Sequence, residues 1–191
     1  VRVVVYAAGS RAAEAADAAV GEIARLEALW DPKQPESDVS RVNAAAGTAP
    51  VRVAPETLEL ASLALKVSEA SGGAFDPTIG PLVEAWGFGQ GGRVPSDAER
   101  QAAMELVNWR DLVVNQEDST LFLTRPGMQL DLGAIAKGYA ARLLRDFLSE
   151  QGVQAGLVQL GGSVALVGQK PGGGRWQIAV QHPRREGYAA V

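Results

Sequence analysis

The sequence predicts an α+β fold, a mixed or antiparallel sheet with packed helices. Strand-like and helix-like stretches follow one another without the strict alternation of a doubly wound sheet. Several strand-like runs are separated by only a few turn residues, as in antiparallel hairpins. The 191 residues are 47% hydrophobic and 21% charged, enough apolar material for one packed domain over residues 1–191.

Residues 1–6 read as a strand with no lead-in, so a segment is expected upstream. Residues 11–29 are alanine-rich, with Val20, Ile23, Glu27 and Trp30 at helical spacing, and predict a helix with a small face suited to close packing on a sheet. Pro32 and Pro35 stop it, and residues 31–47 read as a polar loop. Residues 51–53 form a short strand. Pro55 suits the first turn of a helix that carries Leu58, Ala61 and Leu65 and ends at Gly72-Gly73. Ser96-x-x-Glu99 is a capping-box pattern ahead of Ala102, Ala103 and Val107. Residues 112–114 and 121–124 flank the turn 116–119 as a hairpin. Residues 128–132 read as a strand running into Gly133. The helix 134–149 follows, with Ile135, Tyr139, Leu143 and Phe147 on one stripe. Strands are expected at 157–160, 164–167 and 176–180. Gly89–Gly92 and Gly172–Gly174 read as loop tips, and no internal repeat is present.

Composition excludes several kinds of chemistry. A net charge of −4 and a pI near 5.1 do not suggest the basic face of a duplex binder, so no nucleic-acid partner is expected. The absence of cysteine excludes disulfides, zinc–thiolate sites, iron–sulfur clusters and cysteine nucleophiles. It is compatible with oxidising and reducing compartments alike. A single histidine, His182, excludes multi-histidine metal sites. It stands between Gln181 and Pro183 with no Asp or Ser placed for a relay, and reads as a surface loop residue. No apolar run is long enough for a membrane span.

Four segments can carry chemistry. In the first, Gly72-Gly73-Ala74-Phe75-Asp76-Pro77-Thr78-Ile79-Gly80-Pro81, two glycines permit positive φ and close approach of backbone to a ligand. Asp76, held extended by Pro77, offers a carboxylate to a base or ribose, or simply builds an Asp-Pro turn. In the second, Asp131-Leu132-Gly133-Ala134-Ile135-Ala136-Lys137-Gly138-Tyr139, a helix start with Lys137 one turn in favours an anion. Asp131 there can meet magnesium or a ligand hydroxyl. Equally, Asp131 can cap the helix while Lys137 is solvated. The order Lys-Gly rules out a P-loop. In the third, Gly161-Gly162 between two apolar strands makes room for a flat ligand or phosphate, or turns a hairpin. The fourth runs from Trp30-Asp31 to Asp38-Val39-Ser40-Arg41-Val42-Asn43. Trp30 can stack on an aromatic ring or pack in the core.

Taken in order, these segments resemble the ApbE family of FAD:protein FMN transferases, also described as thiamine biosynthesis lipoproteins. The matching stretches are Ser37-Asp38-Val39-Ser40-Arg41-Val42-Asn43, Gly73 to Leu82, Trp86-Gly87-Phe88, Leu130 to Tyr139, and Leu160-Gly161-Gly162. The Trp176 strand and Pro183 also fit, so the match spans essentially the whole chain. The resemblance implies that FAD binds with magnesium and that its FMN moiety passes to a Thr or Ser hydroxyl of a target flavoprotein, such as a redox-pump subunit, with release of AMP. It implies FAD contacts at Trp30, Ala74, Phe75, Asp76, Asp131 and Lys137, and a metal contact through the Ala134 carbonyl. It implies a periplasmic or cell-surface location, membrane-anchored through a lipid in the full-length precursor.

The chain also departs from the family pattern. The Met-Gly-Thr of the family's start, its leader and its lipid-bearing cysteine have no counterpart, and neither do its Thr-Ser-Gly and His-x-x-Asp-Pro-x-Thr-Gly segments or its late Asp and Thr metal ligands. Ala141 replaces a usual Asp. The fold is therefore expected to be incomplete at both ends, with about half of the metal shell. The alternatives to a transferase are a non-catalytic FAD-binding module and an FAD pyrophosphatase or flavin-trafficking protein.

Overall fold

The computed structural model describes residues 2–6 and 11–190, and it is α+β with antiparallel sheets and packed helices. In chain order the elements are β1 (Arg2–Tyr6), α1 (Arg11–Trp30), α2 (Asp38–Ala44), β2 (Val51–Arg52), α3 (Pro55–Ala70), α4 (Gly80–Ala85) and α5 (Asp97–Glu105). A 3₁₀ turn (Trp109–Asp111) leads into β3 (Leu112–Asn115), β4 (Thr120–Leu123), α6 (Gly133–Glu150), β5 (Ala155–Leu160), β6 (Ser163–Gly168), β7 (Val180–Gln181) and β8 (Tyr188–Ala190). The chain parts into two compact units, one comprising residues 23–140 and the other the described residues before and after that span.

The unit of residues 23–140 is built on an antiparallel sheet in the order β2-β4-β3. The β3–β4 hairpin pairs Leu112 with Leu123 and Asn115 with Thr120. Its turn is tied by Asn115, whose Oδ1 accepts from the Glu117 and Asp118 amides at 2.9 and 3.1 Å. Helix α2 packs on β2 and β4, and α3 on β3. Val39, Val42, Leu60, Ala61, Ala64, Leu121 and Leu123 are sealed from solvent. Each such Leu contributes about 1.5–3 kcal/mol relative to exposure.

The other unit carries an antiparallel sheet in the order β1-β5-β6, with Arg2 opposite Gln159 and Leu160 opposite Ser163. Gly161-Gly162 is the two-residue turn of the β5–β6 hairpin, with Gly161 at φ +61°. A small ladder pairs β7 with β8. A cleft of about 1040 Å³ is lined by Tyr6, Gly152, Gln154, Gly168 and Pro171, and none of the expected site residues lines it. His182 lies in the turn between β7 and β8, where its Nδ1 accepts from the Arg184 amide at 3.1 Å.

Five sequence expectations are corrected. The span 31–47 is not all loop, because Ser37 caps α2 through its Oγ (Ser40 N, 3.0 Å) and Val39 and Val42 give that helix a buried face. Two apolar residues among polar ones hid the period. Residues 128–132 do not form a ladder strand but are extended with one isolated parallel bridge, Gln129 to Ile79. Side-chain and loop groups take the hydrogen bonds that a strand neighbour would take. Residues 176–180 are not a strand, since only Val180 enters one and the Trp176 Nε1 donates instead to the Gly168 carbonyl at 3.0 Å. Helix α4, with Pro81 in its first turn, stands where no helix is expected. The buried stripes of the long helices also differ. Val20 is exposed, and α1 buries Ala15, Ala19, Leu26 and Trp30. Helix α6 buries Tyr139, Ala140, Ala141, Leu144 and Leu148 rather than the stripe through Leu143 and Phe147.

Candidate ligand-binding site

Helix α3 ends at Ala70, and the chain reverses through Gly72 and Gly73 at φ +63° and +86°. Residues with a Cβ rarely adopt that region. The Gly73 amide donates to the Ser68 carbonyl at 2.8 Å, and the Phe75 amide to Ser71 Oγ at 3.1 Å. Ala74 is exposed and Phe75 half-buried. Asp76 then turns its carboxylate inward. Its Oδ1 accepts from the Thr78 amide (2.8 Å) and hydroxyl (2.7 Å), and its Oδ2 from the Trp109 amide (2.9 Å). Thr78 is fully buried, and its Oγ1 also accepts from the Asn108 amide at 2.9 Å. The Asp-Pro turn is therefore real, and Asp76 uses three of about four acceptor positions to hold its own loop.

Asp131 precedes α6. Its Oδ1 accepts from the Gly133 amide at 2.8 Å, which caps the helix start, while Oδ2 has no partner among the described residues. The Ile135 and Ala136 amides both donate to the Leu132 carbonyl, leaving the Ala134 amide without a partner among the described residues. Lys137 is exposed. Its Nζ makes only a long 3.5 Å contact to the Gly133 carbonyl, with no carboxylate at ion-pair distance among the described residues. One open carboxylate oxygen, one open amide and one unpaired ammonium thus stand at the positive end of a helix dipole.

These two segments are stitched together. The Asp131 amide donates to the Pro77 carbonyl at 2.8 Å, and the Gly80 amide to the Gln129 carbonyl at 3.2 Å. The Gln129 side chain donates to Glu84 at 2.8 Å. A third segment joins through Asn43, whose amide exchanges two hydrogen bonds with the backbone of Leu130. Pro77, directly after Asp76, is thereby fixed beside Asp131, which directly precedes Leu132 and α6.

Trp30 belongs to a different cluster. The residue is only 8% exposed, and its ring meets Tyr139 edge-on at 5.8 Å between centroids. Its Nε1 donates to Thr57 Oγ1 at 3.1 Å, and Thr57 donates to Asp38 Oδ2 at 2.6 Å. Asp38 is buried, accepts from the Ala54 amide at 2.8 Å and pairs with Arg41. Lys137 and Tyr139 lie two residues apart on α6, about 200° around the helix. The described contacts of Trp30 therefore do not place it with Lys137.

The sequence reading gave no role to Thr78, to Trp109 or to the amide of Asn43. Asn43 lay inside a quoted motif, whereas nothing in the sequence singled out Trp109. The Trp109 indole nitrogen is buried without a hydrogen-bond partner among the described residues and faces Gly73, with Arg110 stacked on its ring at 4.4 Å. Among the described residues no three His, Asp or Glu side chains converge as a metal cluster, and no helix is long and apolar enough to cross a membrane.

The chain is 37% identical over 170 residues to an FAD:protein FMN transferase of Klebsiella pneumoniae, a match that covers 88% of this chain and 52% of that protein. The crystal structure of an ApbE protein from Thermotoga maritima superposes with a TM-score of 0.90 at 30% identity, covering 97% of this chain and 60% of that one. The apo flavinyl transferase ApbE of Pseudomonas stutzeri gives 0.82 at 32% identity, covering 94% and 56%. The chain thus spans about half the length of the curated relatives it matches. The model of the ApbE family matches residues 1–191 throughout, and the chain belongs to that family.

Proposed function

We propose that the protein of which this chain is part transfers FMN from FAD to a Thr or Ser hydroxyl of a target flavoprotein. The observation that carries this reading is the Pro77–Asp131 stitch. It joins the end of a glycine-reversed loop to the residue that leads into α6, where Lys137 has no carboxylate partner among the described residues. A diphosphate suits such a place, because it needs cationic and N–H partners that nothing else neutralises. Lys137 holds charge on the diphosphate, the free Ala134 amide adds a donor, and the Ala74–Asp76 loop lies alongside the bound dinucleotide. The acceptor hydroxyl forms a bond to the FMN phosphorus as the phosphoanhydride bond breaks. AMP leaves, and the hydroxyl proton passes to solvent or base.

Magnesium fits as a partner of the substrate. It takes hard oxygen ligands, commonly one or two carboxylates plus substrate phosphates. Asp131, with one oxygen open, and the Ala134 carbonyl would hold it on this chain. Bound there, it would neutralise charge that develops on the phosphates. The acceptor is a flavoprotein of the redox-pump subunit type, and the location is the periplasm or cell surface, membrane-anchored in the precursor. Both rest on the family resemblance.

The test incubates the full-length protein with FAD, magnesium and a candidate acceptor, and follows AMP and in-gel flavin fluorescence. A fluorescent acceptor band with stoichiometric AMP is expected. Free FMN with no labelled acceptor would instead make it a pyrophosphatase, and FAD binding without AMP release a binding module.

A further inference from the structure

We propose that Asn43 is a positioning residue for the bound dinucleotide, acting through Leu130 on Asp131. The inference rests on the FAD reading above. Asn43 lies in α2, 87 positions from Leu130 in sequence, and gives both polar ends of its side chain to that one residue. Its Nδ2 donates to the Leu130 carbonyl at 3.1 Å, and its Oδ1 accepts from the Leu130 amide at 2.7 Å. This is the pair of bonds a neighbouring strand would make, supplied by one carboxamide.

The neighbours of Leu130 are held from the opposite side. The Gln129 carbonyl accepts from Gly80, and the Asp131 amide donates to Pro77. Met128, Leu130 and Leu132 are buried while Asp131 is half-exposed, so the segment has the alternation of a strand with no ladder partner among the described residues. A slip by one residue would turn Asp131 into the core and Leu130 out. The backbone bonds from Pro77 and Gly80 come from a turn that itself contacts the ligand in this reading. Asn43 is the anchor that comes from outside it. The Asp131 carboxylate, and α6 with Lys137 behind it, take their places from that anchor.

An amide is required because the site needs one donor and one acceptor. Asn43→Asp is isosteric, but when ionised it sets a carboxylate oxygen against the Leu130 carbonyl. When protonated it again donates to that carbonyl while accepting from the Leu130 amide. Repulsion and burial disfavour the ionised form, so its pKa rises above the usual carboxylate value. Its clamp is present below that raised value and lost as pH rises through it. Asn43→Ala loses both bonds at every pH.

The test compares the full-length parent with both variants at roughly pH 5 and about pH 7.5, which bracket a raised carboxylate pKa. Two quantities are read as variant-to-parent ratios, which removes every pH effect that parent and variant share, including any at the neighbouring Asp131, Asp38 and Arg41. They are hydrogen exchange of the Leu130 and Asp131 amides and affinity for FAD. At the higher pH, Asn43→Asp should exchange about tenfold faster and bind FAD about tenfold more weakly. At the lower pH both ratios should return toward one. Asn43→Ala should show deficits that do not change with pH. The proposal is overturned if exchange is unaltered in both variants, or if exchange rises while FAD affinity tracks the parent. A parent that binds no FAD in its own titration overturns the ligand reading, and this role with it.

Discussion

Removing the Asp76 carboxylate should unfold the protein more easily than its half-exposed position suggests. The substitution Asp76→Ala deletes three hydrogen bonds at 2.7–2.9 Å: two from Thr78 and one from the Trp109 amide. Bonds to an ionised acceptor contribute about 1.5–3 kcal/mol each. Water can reach part of this loop and satisfy freed amides, but Thr78 is fully buried. Its hydroxyl would keep the Asn108 donor and lose its own acceptor. The net cost is therefore about 2–4 kcal/mol, below the simple sum. For a protein of this size that lowers Tm by roughly 4–16 °C. Asp76→Asn, which keeps one acceptor oxygen, should cost about half as much. Urea denaturation followed by circular dichroism measures both. An Asp76→Ala variant within about 0.5 kcal/mol of the parent would refute the claim that this carboxylate organises the loop.

The remaining predictions concern packing, charge and pH. In Gly80→Ala the new Cβ would lie 2.5 Å from the Gln129 Cβ and 2.8 Å from the Gln129 carbonyl oxygen, at the stitch between the two site segments. A loss of about 2–3 kcal/mol is expected in a thermal melt. Lys137→Met should leave Tm unchanged, because the ammonium has no ion-pair partner among the described residues. It should weaken FAD about tenfold in a fluorescence titration. Glu99 lies in the α5 capping box, where the Ser96 amide first, then Arg93 and the Ser96 hydroxyl, hold its pKa down at about 2 against the ordinary 4.5. The stabilisation is thus full above 4.5 and lost as pH falls through about 2. The Tm gap between parent and Glu99→Gln should be constant at neutral pH and shrink on acidification below 4.5.

Local signals in this sequence were reliable where chemistry is local. The capping box at Ser96–Glu99, the turn of the 112–124 hairpin and the Pro55 helix start all depend on neighbours within a few positions. Residues 128–132 misled because alternation alone cannot tell whether a strand or a side chain takes the backbone bonds. Here Asn43, 87 positions away, takes those of Leu130, and the loop at Pro77 and Gly80 takes those of Asp131 and Gln129. The α1 stripe was misread because alanines form the buried face, and periodicity weighted the larger Val20. At the site, Asp76 and Asp131 were legible as candidates, as was the choice between ligand contact and turn-building. Their engagement with Thr78, Trp109 and Gly133 was not, since it depends on how the loops close. The cluster around Trp30 was invisible for the same reason. Thr57 and Asp38 are 19 positions apart and meet only in the fold.

In the proposed function, the joined loop and helix start hold the FAD diphosphate together with magnesium. Calorimetric titration of FAD, run with magnesium and again with EDTA, tests it most directly. Binding that magnesium strengthens and that Lys137→Met weakens in both buffers is expected. The absence of FAD binding in either buffer, by protein shown to be folded, would contradict it.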